Sequence, residues 1–163
     1  MNPARVRSGA LVGIEGLPDD VEVDIGSGLP PFTIVGLPDA AVQEARERVR
    51  AAIRNAGFEF PLRRITVNLA PADVRKEGPI YDLPIAVGVL VASGQIEDRW
   101  SSAVLLGELS LDGGLRHVNG VLPLVARCAE HAIPEVVVAA DDLAEAHMVE
   151  GVRALGLGAL GVL

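Results

Sequence analysis

Few side chains in this 163-residue chain have the type and spacing that chemistry requires. Its three histidines, His117, His131 and His147, stand far apart, without an HExxH or CxxC pattern to bring ligands together, so no metal centre is expected. A serine–histidine–aspartate set can be drawn from Ser110, His117 and Asp112. All three fall on one predicted hairpin, however, and no nucleophile elbow surrounds the serine. Gly156, Gly158 and Gly161 spell GxGxxG without the helix and downstream acid that hold a dinucleotide. Lys76, the single lysine, is followed by Glu77, which excludes a GxxxxGK[ST] phosphate loop. No catalytic, cofactor-binding or metal residue is therefore expected in this chain.

Charge is more informative. The net charge of −8 disfavours the surface as a whole for nucleic-acid phosphate. Between Gln43 and Lys76, however, eight basic residues (Arg46, Arg48, Arg50, Arg54, Arg63, Arg64, Arg75, Lys76) face only four acidic ones (Glu44, Glu47, Glu59, Asp73). The result is one basic patch on an acidic body. Arg46, Arg50 and Arg54 recur every four residues and share one helix face. This stripe is read either as a solvated face partly paired with Glu44 and Glu47, or as a contact for DNA or a subunit. Arg75 and Lys76, in the loop from Ala70 to Pro79, join it as tentative DNA or partner contacts. A structural reading stands beside this one, in which the loop is held to a helix start capped by Asp82.

The elements that position these residues follow from periodicity. Gly9–Gly16 and Val21–Gly26 alternate as strands, Phe32–Val35 reads as a third, and two or three antiparallel neighbours are expected. Asp39 caps a helix whose apolar positions Val42, Ala45, Val49, Ala52, Ile53 and Ala56 repeat at three- and four-residue intervals to Gly57. Ile65–Leu69 is a strand. Tyr81–Ser93 reads as a helix, with Pro84 tolerated in its first turn. Ala103–Leu111 and Leu115–Val118 flank the turn Asp112-Gly113-Gly114 as a hairpin. Val121–His131 and Asp142–Val149 are predicted helices, Glu135–Ala139 a strand, and Val152–Leu155 a last strand.

Strands dominate the first part and helices alternate with strands in the remainder, which gives an α+β or mixed-sheet α/β fold in one domain spanning 1–163. Aromatic residues make up only 3%, so aliphatic side chains must fill the core, and an aromatic-walled pocket is not expected. Cys128 is expected to pack inside. No apolar run reaches the roughly 20 residues of a membrane span, no secretory signal opens the chain, and a cytoplasmic location is expected. The apolar ending LGLGALGVL reads as a truncation.

Three blocks carry a family resemblance: LPDAAVQEARERVRAAI at Leu37 to Ile53, ITVNLAPADVRKEGPIYDLPIAVGVLVASG at Ile65 to Gly94, and LLGELSLDGGLRHVNGVLPL at Leu105 to Leu124. On these the chain resembles the N-terminal domain of the ComM/YifB proteins, magnesium-chelatase-like AAA+ ATPases. The resemblance implies a fold like the second domain of ribosomal protein S-five, shared with the Lon protease domain and the C-terminal domain of RadA. It also implies an AAA+ module after this domain, where ATP and magnesium would bind. The expected partners are that module of the same polypeptide, further copies in a homo-oligomeric ring, and DNA, with no membrane. The implied parent is an ATP-driven DNA helicase promoting branch migration in transformation and recombination.

Laid over this sequence, the Lon loop KDGPSAG falls on Lys76-Glu77-Gly78-Pro79-Ile80-Tyr81-Asp82. The nucleophilic serine then corresponds to Ile80 or Tyr81, and the lysine partner to about Leu122. Losing both the hydroxyl and the amine removes a Ser–Lys mechanism. The resemblance thus implies a non-catalytic domain used in ring assembly or in guiding DNA. A purely structural self-association module, and a residual hydrolase acting through Ser110 or Ser93, remain as alternatives.

Overall fold

A computed structural model describes residues 3–12 and 15–163. The expected strand over Gly9–Gly16 includes Gly13 and Ile14, which lie outside the described residues. On either side, β1 (Ala4–Val12) and β2 (Glu15–Gly26) pair antiparallel from Ala4 opposite Val23 to Val12 opposite Glu15. The alternation is physical: Val6, Val21 and Val23 are buried while Arg5, Arg7 and Asp24 are exposed, so one face packs and the other meets solvent.

The third strand behaves differently from the expectation. β3 (Phe32–Val35) does not pair with β2 but lies parallel to β4 (Arg64–Ala70), with Phe32 beside Ile65. The cause is α1 (Ala40–Asn55), which carries the chain across between them, because two parallel neighbours need a long crossover rather than a tight turn. Helix α1 starts where Val42 N–H donates to the Asp39 carboxylate at 2.8 Å, and buries Val42, Ala45, Val49, Ala52 and Ile53.

Strand β4 then pairs antiparallel with β2. The full sheet of seven runs β3-β4-β2-β1-β5-β8-β9, with β5 (Ala103–Leu106), β8 (Glu135–Ala139) and β9 (Arg153–Leu157) continuing parallel beyond β1. The architecture is a mixed α/β sheet with more parallel than antiparallel pairs.

Against β1 and β2 lies α2 (Asp82–Ala92), in which Asp82 to Leu90 are all buried. A helix apolar all round belongs inside, and the low polarity of this segment requires that place. A single 3-10 turn, Pro79–Tyr81, precedes it. The predicted strand Ala103–Leu111 divides into β5 and the short β6 (Glu108–Leu109), because the peptide groups of Gly107 bond to the helix start instead of to a strand. Gly107 N–H donates to Ile80 C=O at 3.1 Å and Leu83 N–H donates to Gly107 C=O at 3.0 Å. β6 and β7 (Leu115–Arg116) form the expected hairpin, with Gly113 at φ 95° in its turn.

Helix α3 (Val121–Glu130) follows, burying Cys128, whose thiol is pushed up to about 11 by burial. The predicted helix Asp142–Val149 is only the single turn α4 (Leu143–Ala146). Among the described residues, no helix is long and apolar enough to cross a membrane.

Two glycines are sterically required. A Cβ on Gly36, at φ 109°, would lie 2.0 Å from Leu69 C=O, and a Cβ on Gly88 would lie 2.5 Å from Val23 Cγ2. Backbone cannot retreat as a side chain can. Gly36→Ala is therefore expected to destabilise the fold by more than Gly88→Ala, the latter by about 1–3 kcal/mol, as an overpacked core does. Urea denaturation of both variants checks the order.

Candidate functional site

The loop from Ala70 to Pro79 is built around Lys76. Its side chain is fully buried, and the ammonium donates to Gly36 C=O at 2.7 Å, to Pro71 C=O at 2.5 Å and to Val74 C=O. Three N–H donors meet three acceptors, which satisfies a lysine head group without an anion. The backbone adds to this clamp: Lys76 N–H donates to Leu37 C=O and Asp39 N–H to Lys76 C=O, each at 2.9 Å. The Asp39 carboxylate that caps α1 also accepts from Gly78 N–H at 3.2 Å. Lys76 thus joins the Gly36–Asp39 turn to this loop, and the expectation of Lys76 as a surface contact is corrected because its charge is spent inside. Arg75, by contrast, is exposed and lies 3.6 Å from Glu77.

Beneath this clamp, Tyr81 is fully buried and its hydroxyl donates to Asp19 Oδ2 at 2.6 Å. Asp19 Oδ1 is buried without a hydrogen-bond partner. Burial pushes the Asp19 carboxyl up to about 7, against the opposing pull of the Tyr81 hydroxyl and the Lys76 charge. Burial, together with the Asp19 charge, drives the Tyr81 phenol up. The Lys76 ammonium is lowered by burial, with Asp19 opposing.

A second buried carboxylate sits one residue on. Asp82 receives Arg48 through Nε at 2.6 Å and a second guanidinium nitrogen at 3.1 Å, and accepts from Leu109 N–H at 3.0 Å. Desolvation pushes Asp82 up to about 6, while Arg48 holds it ionised at neutral pH. The capping expected of Asp82 is corrected: it stands in the first turn of α2 without a side-chain cap hydrogen bond, because its carboxylate is taken by Arg48 and Leu109, which ties α1 to α2 and β6. Sequence spacing missed Arg48 as its partner because Arg48 lies off the Arg46–Arg50–Arg54 line.

Above these groups lies a cleft of about 410 Å³ lined by Asp39, Gly78, Pro79, Ile80, Glu108 and His117, with Val118 and Leu124 on its apolar side. It coincides with the loop where a Lon-type serine would stand. Ile80 lines the cleft, Tyr81 turns into the core toward Asp19, and Leu122 is part-exposed and is not among the lining residues. Among the described residues, nothing lining the cleft carries a hydroxyl, thiol or amine that could attack a carbonyl. Its one ring nitrogen base is His117, which pairs with buried Asp142 through Nδ1. Asp142 also accepts from Val118 N–H at 3.0 Å, so the pair holds the β7–α3 connection to the start of α4. The Asp142 carboxylate raises the histidine's affinity for a proton.

The on-paper set Ser110, His117 and Asp112 is not assembled. Ser110 Oγ donates to Asp112 within the β6–β7 turn, while His117 turns to Asp142. Ser93 Oγ donates to Leu90 C=O at the end of α2. His131 and His147 stay apart on the surface, and among the described residues no group of three His, Cys, Asp or Glu side chains is placed to hold a metal ion.

The arginine stripe is engaged rather than loose. Arg46 Nε donates to Gln43 C=O at 3.1 Å, and Arg50 pairs with Glu47 at 3.0 Å. The guanidinium groups of Arg50 and Arg54 lie 5.4 and 5.9 Å from the centroid of the Phe60 ring, which packs against Phe32. The pairing expected with Glu47 is present for Arg50. Glu44 instead lies 3.9 Å from Arg48.

Residues 21–142 match the family model described as subunit ChlI of Mg-chelatase. The chain is 47% identical over 160 residues, 98% of its length, to an uncharacterized protein of Mycobacterium tuberculosis, of which it covers 32%. It is 46% identical over 150 residues to the YifB protein of Salmonella typhimurium and 44% identical over 150 residues to the competence protein ComM of Haemophilus influenzae. In each of these two comparisons 91% of this chain and 29% of the relative are covered. The chain spans about a third of the length of the curated relatives it matches.

Asp19 generates a pH prediction. Its folded value of about 7 stands above its ordinary 3.8, so the folded state holds the proton more tightly. The stability this contributes is complete below about pH 4 and is lost as pH rises through about 7. Asp82 acts in the same direction up to about pH 6. In urea denaturation the protein is expected to be less stable at pH 8 than at pH 5.5, and Asp19→Asn is expected to flatten the part of that slope above pH 6. An unchanged slope in Asp19→Asn would place the titration elsewhere.

Proposed function

Because the chain belongs to the ChlI Mg-chelatase family and is similar over nearly its whole length to YifB and ComM proteins, we propose that it is a non-catalytic assembly domain of a larger AAA+ ATPase. One observation carries this reading: the nearby amine of Lys76 is bound to three carbonyls, while the positions that the Lon resemblance gives to a Ser–Lys pair hold Ile80 or Tyr81 and, at about 122, a leucine. A proton acceptor must be free and beside its nucleophile, and neither condition is met. In this reading ATP and magnesium belong to the ATPase module of the longer protein, and the parent acts on DNA during competence, in keeping with the name of the ComM relative. The domain works in the cytoplasm.

Assembly is favoured over DNA guiding by the state of the five basic residues considered for contact. Lys76 is buried, Arg75 lies near Glu77, Arg50 pairs with Glu47, Arg46 bonds its own helix, and Arg54 stacks on Phe60. Phosphate would have to compete with those partners on a chain of net charge −8.

Two measurements test this. A serine-reactive fluorophosphonate probe is expected to leave the folded chain unlabelled, and labelling at Ser93 or Ser110 would restore the hydrolase reading. Duplex DNA is expected not to be retained by the chain at physiological salt. Saturable binding that disappears in an Arg46→Glu, Arg50→Glu, Arg54→Glu variant would replace assembly with DNA guiding.

A further inference from the structure

Asn119 and Gly120 close the connection between β7 and α3, and theirs is the single Asn-Gly pair in the chain; Asn55 and Asn68 are followed by Ala56 and Leu69. Asn119 is exposed and lines the cleft beside His117. Gly120 stands at φ 87°, in the left-handed region, and its C=O accepts from Leu124 N–H at 3.2 Å as the first bond of α3. On the other side, Val118 N–H is tied to Asp142. The pair is a short span held at both ends, with Asn119 open to water between them.

His117 brings an acid to this span. Its Nδ1 is committed to the buried Asp142 carboxylate, which leaves Nε2 for Asn119, whose side chain hydrogen-bonds the ring. Asp142 is the main reason that the ring holds a proton, and Asn119 and Glu145 add to it. The other ionisable groups lining the cleft, Asp39, Glu77 and Glu108, are all carboxylates, so the surroundings favour the imidazolium from every side. An imidazolium N–H donating to an amide oxygen polarises the amide carbon for attack. The residue that follows is glycine, whose backbone nitrogen has no neighbouring Cβ to hinder its approach.

We propose that Asn119 is a self-modification site, its side-chain amide being converted to a carboxylate through attack by the Gly120 backbone nitrogen with His117 as the acid. The Gly120 nitrogen gives its proton to water and bonds to Asn119 Cγ, closing a five-membered succinimide. The Cγ–Nδ2 bond breaks, and the nitrogen leaves as ammonia with a proton taken from His117 Nε2, which solvent then restores. Water adds to either carbonyl of the ring and opens it, to an aspartate or, where the main chain now runs through Cγ, to an isoaspartate. Amide and water become acid and ammonia, with no change of oxidation state. The aspartate product adds a charge beside His117. The isoaspartate also lengthens the main chain by a methylene between Val118 and the first bond of α3, and so loosens that wall of the cleft. The inference goes beyond the assembly reading and does not depend on it.

The test incubates the folded, unaltered chain and follows each asparagine by peptide mass mapping, with an isoaspartyl methyltransferase and a labelled methyl donor reporting the isoaspartate. Asn119 is expected to convert while Asn55 and Asn68 stay intact. It is also expected to convert faster in the folded chain than in a free peptide of residues 116–122, because only the fold sets Asp142 behind His117. His117→Gln, checked for folding by circular dichroism, is expected to slow conversion at least about tenfold at about pH 6, where the imidazolium acts, and to leave it nearly unchanged at about pH 9, where the ring is neutral. The proposal is overturned if Asn119 survives in the folded chain while the free peptide converts, if Asn55 or Asn68 keeps pace with it, or if folded His117→Gln converts as fast as the unaltered chain at about pH 6. Should His117→Gln fail to fold, the ratio of folded-chain to peptide rates decides: an advantage confined to the acid side supports the proposal, and an equal ratio at both pH values overturns it.

Discussion

The buried ammonium of Lys76 is the constraint around which this end of the molecule is organised. Three carbonyls from two separate stretches of chain converge on it, at Gly36, Pro71 and Val74. Without a cation there, those oxygens would be buried facing one another, at the cost that attends any unpaired polar group in a core. The clamp fixes the turn that caps α1 and the loop that leads into α2, and so decides where Ile80 and Tyr81 point. Lysine suits the task better than arginine, because a compact head with three donors can serve carbonyls arriving from different directions. It is the only lysine in a chain that otherwise uses arginine for every cation.

That arrangement also keeps the Lys76 amine and the Tyr81 phenol out of the lining of the cleft. A clamped amine has no lone pair to offer, and the phenol beside it is turned inward onto Asp19. The buried acids are then read as structure under tension. Asp82 is relieved by a two-point arginine and a backbone N–H, whereas Asp19 has one partner and one bare oxygen. Burial raises both carboxyls, Asp19 to about 7 and Asp82 to about 6. The cleft above persists as shape, walled by apolar Ile80 and Leu124 and rimmed by carboxylates that are partly committed elsewhere.

Much of the fold was legible where one physical signal dominated. The β-branched run at Val136–Val138 reads as a buried strand and is one, and the three- and four-residue apolar spacing of α1 locates both its buried face and its Asp39 cap. What failed was pairing. β3 reads as a strand, yet nothing local says that α1 will return the chain to its flank in parallel. Gly107 breaks a continuous apolar run for a reason held 25 residues away, at the start of α2. At the candidate site the identities of Ile80, Tyr81 and Leu122 were legible directly. Its central charge was not, because a lysine beside an arginine and a glutamate looks solvated until the carbonyls around it are placed. Its status as the sole lysine was the available signal.

The arginines show the same competition between local and tertiary partners. A four-residue stripe suggests a free basic face, but each guanidinium on α1 has found a nearer use: a carboxylate, a carbonyl or the Phe60 ring. Arg48, off the stripe, takes the most buried partner of all. Arg63 and Arg64, at the start of β4, are exposed, and Arg63 lines a shallow pocket together with Glu59.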